Sequence, residues 1–191
     1  MIVLRDYQEK IASDASDIIS KRGYVYLAME VRTGKTLTAL QVVKNRDKKS
    51  VLFVTKKKAI DSILEDYMKF DCKFAMDVVN YESVHKYSVH QYDMVILDEA
   101  HGMGAFPKPS GRTKAVNAIL FKNNYPDVVY LSGTPSPESY SQMYHQFWVL
   151  GPRSPFAQYK NFYKWAHEFV NIKQRKIGSM MVNDYSDASQ K

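Results

Sequence analysis

The stretch Gly23-Tyr-Val-Tyr-Leu-Ala-Met-Glu-Val-Arg-Thr-Gly-Lys-Thr-Leu-Thr-Ala-Leu40 constrains this chain more than any other. Its opening residues, Tyr24 to Ala28, are apolar and β-prone, whereas Leu37, Ala39, Leu40, Val42 and Val43 recur at helical spacing. Between them stands Thr33-Gly34-Lys35-Thr36, the second half of the pattern G-x-x-x-x-G-K-[ST]. Strand, tight turn and helix is the geometry in which backbone N–H groups surround phosphates. Gly34 lets the backbone approach an anion, Lys35 supplies a point charge for the β/γ-phosphates, and the Thr36 hydroxyl suits Mg²⁺. The first glycine of the pattern is replaced by Met29, so the residues of the loop itself are not assigned by the pattern alone.

A second stretch completes the chemistry. Tyr92-Asp-Met-Val-Ile-Leu-Asp98-Glu-Ala-His101 is four apolar residues running into paired acids, a buried strand that delivers Asp98 and Glu99 at its carboxyl end. Buried acids are unfavourable without a cation or proton. Beside a phosphate loop the economical reading gives Asp98, on a neighbouring strand, to the Mg²⁺ shell and leaves Glu99 to orient and deprotonate a water. No second His or Cys stands at ligand spacing from His101, so a hydrogen bond across the site toward the next motif is expected of it.

Other segments alternate strand and helix. A helix from about 6 to 21 ends at Gly23, with Gln8 near its start, a residue that is either solvated or placed to read an adenine edge. Ser50-Val-Leu-Phe-Val-Thr55 and Val128-Val-Tyr-Leu131 are continuous apolar runs of the kind buried in parallel sheets, and residues 74–80 make a further short strand. Two readings of Lys56-Lys-Lys58 stand side by side: a solvated helix entry, or backbone phosphate contacts at the strand's carboxyl edge. Small hydroxyl residues in Ser132-Gly-Thr-Pro135 fit beside a γ-phosphate. The rings between Tyr140 and Phe169 read chiefly as core, and the chain beyond Ile172 as a loose hairpin or tail.

Composition excludes several classes. A chain of 191 residues with 45% hydrophobic and 25% charged residues suits one globular domain rather than a disordered one. One cysteine, Cys72, allows no internal disulfide and no cysteine-based zinc site. No apolar run approaches the roughly 18 residues that span a bilayer, so a cytoplasmic protein without membrane contact is expected. The net charge of +7 points to a polyanion, most simply nucleic acid.

Taken together, these motifs resemble the first motor lobe of a superfamily 2 helicase, and most closely the Swi/Snf-like translocases of phages and bacteria. The likeness runs from residue 4 to about 172: Leu4-Arg-Asp-Tyr-Gln8 resembles the Q motif, residues 29–36 motif I, residues 51–56 motif Ia, Asn80-Tyr-Glu-Ser83 motif Ib, Asp98 to His101 motif II, and Leu131 to Pro135 motif III. This branch commonly lacks the first glycine of motif I. The resemblance implies a three-layer α/β domain of RecA-like P-loop NTPase type, a mostly parallel sheet with helices on both faces, over residues 1–172, and a polar tail or connection over residues 173–191. It also implies ATP and Mg²⁺ as cofactors. Arg5, Gln8, Arg32, Thr33, Gly34, Lys35, Thr36 and His101 would hold the nucleotide, Thr36 and Asp98 the metal, and Lys35, Asp98 and Glu99 the reaction.

Thr55, Lys56, Tyr81 and Ser83 would touch a nucleic-acid backbone, DNA and most simply duplex, while Ser132 and Thr134 would couple the two sites. The family's second lobe, with its arginine fingers, has no counterpart in these residues, so slow hydrolysis without that lobe is expected. The alternatives are a non-catalytic DNA-binding or regulatory module on the same fold, an RNA helicase, or another P-loop NTPase. A guanine-reading Asn-Lys-x-Asp and an arginine-rich lid, which the last would need, are absent from the sequence.

Overall fold

Why the apolar runs are unbroken is visible in how their side chains divide. In the computed structural model, which describes residues 2–87 and 90–187, Val51 and Phe53 enter one apolar cluster while Leu52 and Val54 enter another. Met94 and Ile96 likewise part from Val95 and Leu97, and Val129 and Leu131 from Val128 and Tyr130. Successive strand side chains point to opposite faces, so a sheet covered on both faces needs apolar residues at every position.

The strands are β1 (Tyr24–Ala28), β2 (Ser50–Thr55), β3 (Ala75–Asn80), β4 (Met94–Asp98) and β5 (Asp127–Ser132). All pairings are parallel, in the order β1-β5-β4-β2-β3. Helices α1 (Asp6–Arg22), α2 (Lys35–Asn45) and α3 (Ile60–Lys69) cover one face, burying Ala12, Ile19, Leu40, Val43 and Ile63. Helices α4 (Gly111–Lys122) and α5 (Gln142–Trp148) cover the other through Val116, Ile119, Leu120 and Phe147. The result is a three-layer RecA-like α/β sandwich with a wholly parallel main sheet. β1 is an edge strand, with Val25 and Leu27 buried, Tyr24 and Tyr26 half-buried and Ala28 exposed. An apolar run of five residues does not distinguish an edge from a centre, because Tyr26 covers its own flank by stacking on Tyr130 at 5.2 Å.

Helix ends follow local chemistry. The Arg5 N–H donates to Gln8 Oε1 at 2.9 Å to start α1, and Gly23, at φ 74°, ends it by donating to the Ile19 carbonyl at 2.7 Å. Beyond the sheet, α6 (Phe162–Phe169) packs on α5 around Trp165, which is fully buried among aromatic rings. The segment after 172 forms a regular antiparallel hairpin, β6 (Lys173–Ile177) and β7 (Met180–Asp184). Tyr185 anchors it: its carbonyl accepts from the Ser139 and Ser141 hydroxyls at 3.0 and 2.6 Å. The last four residues of the 173–191 segment lie outside the described residues. Among the described residues no helix is long and apolar enough to cross a membrane.

Candidate nucleotide site

Three parallel strands end together. Ala28 of β1 stands opposite Ser132 of β5, and Leu131 of β5 opposite Asp98 of β4, so the loop after β1 and the acids after β4 share one edge of the sheet. Asp98 is not on the strand next to β1, as expected from sequence, but one strand farther, with β5 between. At about 4.8 Å per strand this separates β1 from β4 by roughly 10 Å, space for phosphates and a metal between Lys35 and Asp98.

The loop is shaped by two residues in the left-handed region, Arg32 (φ 66°) and Gly34 (φ 79°). Gly34 has a strict requirement, since its left-handed backbone strains any residue with a Cβ, and a Cβ there would also stand 2.1 Å from Gln8 Nε2. Lys35 Nζ turns back on its own loop and donates to the Met29 and Glu30 carbonyls, each at 3.1 Å, while Thr33 Oγ1 donates to Glu30 O at 2.7 Å. The start of α1 clamps the loop from outside: Tyr7 Oη and Gln8 Nε2 both donate to the Thr33 carbonyl, at 2.9 and 3.1 Å. Nothing in the sequence marks Tyr7 for this role, because its ring reads as one more apolar position of α1. Gln8 is buried with both ends of its amide engaged by the chain, so one N–H and one lone pair remain for a base. The Arg5 guanidinium lies beside the Tyr7 hydroxyl at 3.5 Å. Thr36 sits in the first turn of α2, partly exposed.

Asp98 is held from two sides. Thr55 Oγ1 donates to its Oδ2 at 2.7 Å, and Tyr81 Oη donates to its backbone carbonyl at 2.8 Å. Burial pushes the Asp98 carboxyl above its ordinary range, the Thr55 hydroxyl pulls it down, the charge of Glu99 raises it and the charge of Lys35 lowers it. Glu99 takes a left-handed backbone, φ 51°, and its Oε2 lies 3.4 Å from His101 Nδ1 and 3.8 Å from Lys56 Nζ. His101 Nδ1 is also 3.0 Å from Ser132 Oγ, which accepts from the Thr134 N–H at 3.1 Å. A nucleotide contact by His101 therefore falls to Nε2. Thr134 is exposed, whereas Ser132 is fully buried. Behind this turn Gln146 accepts from Tyr26 Oη at 2.8 Å and donates to Pro135 O at 2.7 Å, a support that glutamine in an aromatic helix does not announce in sequence.

The residues fit a magnesium-bound nucleoside triphosphate. Loop amides, Lys35 and Thr36 offer a phosphate cradle, and Asp98 is a half-buried acid lacking an ion pair among the described residues, which a cation would neutralise. No group of three or more His, Cys, Asp or Glu side chains gathers among the described residues. Mg²⁺ needs only one or two carboxylates, its other ligands being phosphate oxygens and water.

Residues 1–82 match the family model described as "Type III restriction enzyme, res subunit". This ResIII match takes in the nucleotide loop and ends just past β3. Among solved structures the chain is similar to a nuclease-deletion mutant of the Type ISP restriction-modification enzyme LlaGI in complex with a DNA substrate mimic. That likeness has a TM-score of 0.51 and 16% identity and covers 74% of this chain and 19% of that one. A likeness to the ATP-dependent Type ISP restriction-modification enzyme LlaBIII bound to DNA has a TM-score of 0.46, at 18% identity over 69% of this chain and 13% of that one. The chain thus spans less than a fifth of the length of either protein. The first likeness establishes the fold. No curated protein sequence matches the chain.

Next to the nucleotide loop, on the β2–β3 side, lies a groove of about 490 Å³ lined by Thr55, Lys56, Lys57, residues 80–83 and Arg112. Here two expectations are corrected. Thr55 is fully buried and Tyr81 nearly so, and both hydroxyls face inward to Asp98, so neither side chain is free to touch a nucleic-acid backbone. They hold the acid in place instead. Position within a motif does not say which way a side chain points, since that depends on the strand's partners. Lys56 remains at the groove wall, 52% exposed, and the Ser83 N–H is fixed by Asn80 Oδ1 at 2.8 Å.

Proposed function

We propose that this chain is the ATP-binding motor lobe of a DNA helicase or translocase of Swi/Snf-like type, which couples ATP hydrolysis to movement on DNA. The observation that supports it most is the convergence of the Lys35 loop with Asp98 and Glu99 at the carboxyl ends of β1 and β4, bridged by Ser132 of β5. The ResIII match and the fold shared with a DNA-bound restriction enzyme agree with this reading.

In the proposed mechanism Lys35 exchanges its two loop carbonyls for phosphate oxygens, and the α2 N-terminus stabilises the same charge. Mg²⁺, held by Thr36 and Asp98, would neutralise charge on the β/γ-oxygens. Glu99 takes a proton from the attacking water, and His101, bonded to Ser132, transmits the change there to the Ser132–Pro135 turn. An arginine supplied by a second lobe would neutralise transition-state charge on the γ-phosphate and raise the rate by roughly 10³–10⁵.

The test compares ATPase rates with and without duplex DNA for the wild type and Glu99→Gln, alongside binding of a fluorescent ATP analogue. Expected is DNA-stimulated turnover that the substitution abolishes while binding persists. Equal residual rates in both proteins, or preference for a guanine nucleotide, would overturn the proposal.

A further inference from the structure

The groove beside β2 and β3 holds its cations in an unusual way. Arg112 Nη2 rests 2.5 Å from Glu82 Oε1, and Lys56 rests 3.8 Å from Glu99, so both are placed on carboxylates, while Lys57 has no acidic partner among the described residues. Arg112 belongs to the first turn of α4, which contains no acid. A cation there opposes the helix dipole, so helix stability does not account for it. Nor does packing, for the Arg112 and Glu82 side chains are 51% and 57% exposed. The Glu82 carboxyl is held below its ordinary range by its own backbone N–H first and by Arg112 second.

We propose that Arg112 is a phosphate ligand for a DNA strand lying in this groove, and that Glu82 is its placeholder, displaced by a backbone phosphate when the strand arrives. The inference rests on the function proposed above. An exposed ion pair contributes little, so exchange is easy, and a guanidinium fork fits a phosphate as well as a carboxylate. Lys56, Lys57 and Ser83 supply neighbouring contacts along the same wall. Glu82 follows Tyr81, whose hydroxyl holds the Asp98 carbonyl, so occupancy of the groove is felt one residue from the support of the metal site.

The experiment measures binding of a fluorescently labelled short DNA duplex by anisotropy over a salt series, for the wild type, Arg112→Gln, Glu82→Gln and the double variant. Melting temperature and affinity for a fluorescent ATP analogue are read in parallel, and both stay at wild-type values. Arg112→Gln should weaken binding several-fold for all DNA sequences and reduce the slope of log affinity against log salt by about 1. Glu82→Gln should tighten binding about 2- to 5-fold, and the double variant should behave as Arg112→Gln alone. An unchanged slope in Arg112→Gln, or no tightening in Glu82→Gln, overturns the assignment of Arg112 while leaving the motor reading intact. Absence of salt-dependent DNA binding by the wild type overturns both.

Discussion

Thr55→Val tests whether Asp98 is a metal ligand held by its surroundings. The substitution keeps the branched shape of a fully buried side chain and deletes the hydroxyl that donates to Asp98 Oδ2 at 2.7 Å. A hydrogen bond to a charged group is worth about 1.5–3 kcal/mol, and loss of such an outer partner typically costs about 10- to 100-fold in metal affinity. Because the Thr55 hydroxyl lowers the Asp98 carboxyl against the effect of burial, the variant carboxyl moves farther up. Metal binding requires the deprotonated acid, so the deficit should widen as pH falls toward the range where Asp98 takes up its proton. The assay is a Mg²⁺ titration of fluorescent-ATP binding at fixed nucleotide, repeated over a pH series, with metal-free nucleotide binding as control. Expected is a Mg²⁺ midpoint raised about 10- to 100-fold at neutral pH with the control unchanged, since the Lys35 loop is untouched. A folded variant with the wild-type midpoint at every pH would refute the argument.

Two further substitutions probe the same edge. Gly34→Ala places a Cβ 2.1 Å from Gln8 Nε2 at φ 79°; urea unfolding should register a loss of at least about 1–2 kcal/mol, with nucleotide binding abolished. Asp98→Asn should melt above the wild type in EDTA at neutral pH. Burial raises the Asp98 carboxyl, so its contribution to stability is present at low pH and is lost as pH rises through the folded-state value. The gap should therefore close on acidification, and saturating Mg·ATP should reverse the order of the two proteins.

Much of the fold was legible because its signals are local. The strand at Tyr24–Ala28 and that at Ser50–Thr55 begin and end where apolar β-prone residues do, and α1 stops at Gly23, whose left-handed backbone donates to the Ile19 carbonyl. The residues after 172 were less legible: a segment reading as a loose tail or hairpin pairs in register from Lys173–Asp184 to Ile177–Met180, with its end held by serines far away in sequence. Arg112 and Gln146 carry no sequence signal for a similar reason. An arginine at a helix start and a glutamine inside an aromatic helix become informative only when Glu82, or Tyr26 and Pro135, stand next to them.

By itself the sequence determined the kind of site: a left-handed glycine before a lysine, after a strand and at a helix start, and two acids at the end of an apolar strand. Those properties belong to backbone sterics and neighbouring residues, and act wherever the segment is placed. The tertiary structure alone decided that β5 stands between the lysine loop and the acids, and that Thr55 and Tyr81 turn toward Asp98 instead of toward a ligand. Strand order and side-chain direction are set by long-range pairing, which the residues beside a segment do not encode.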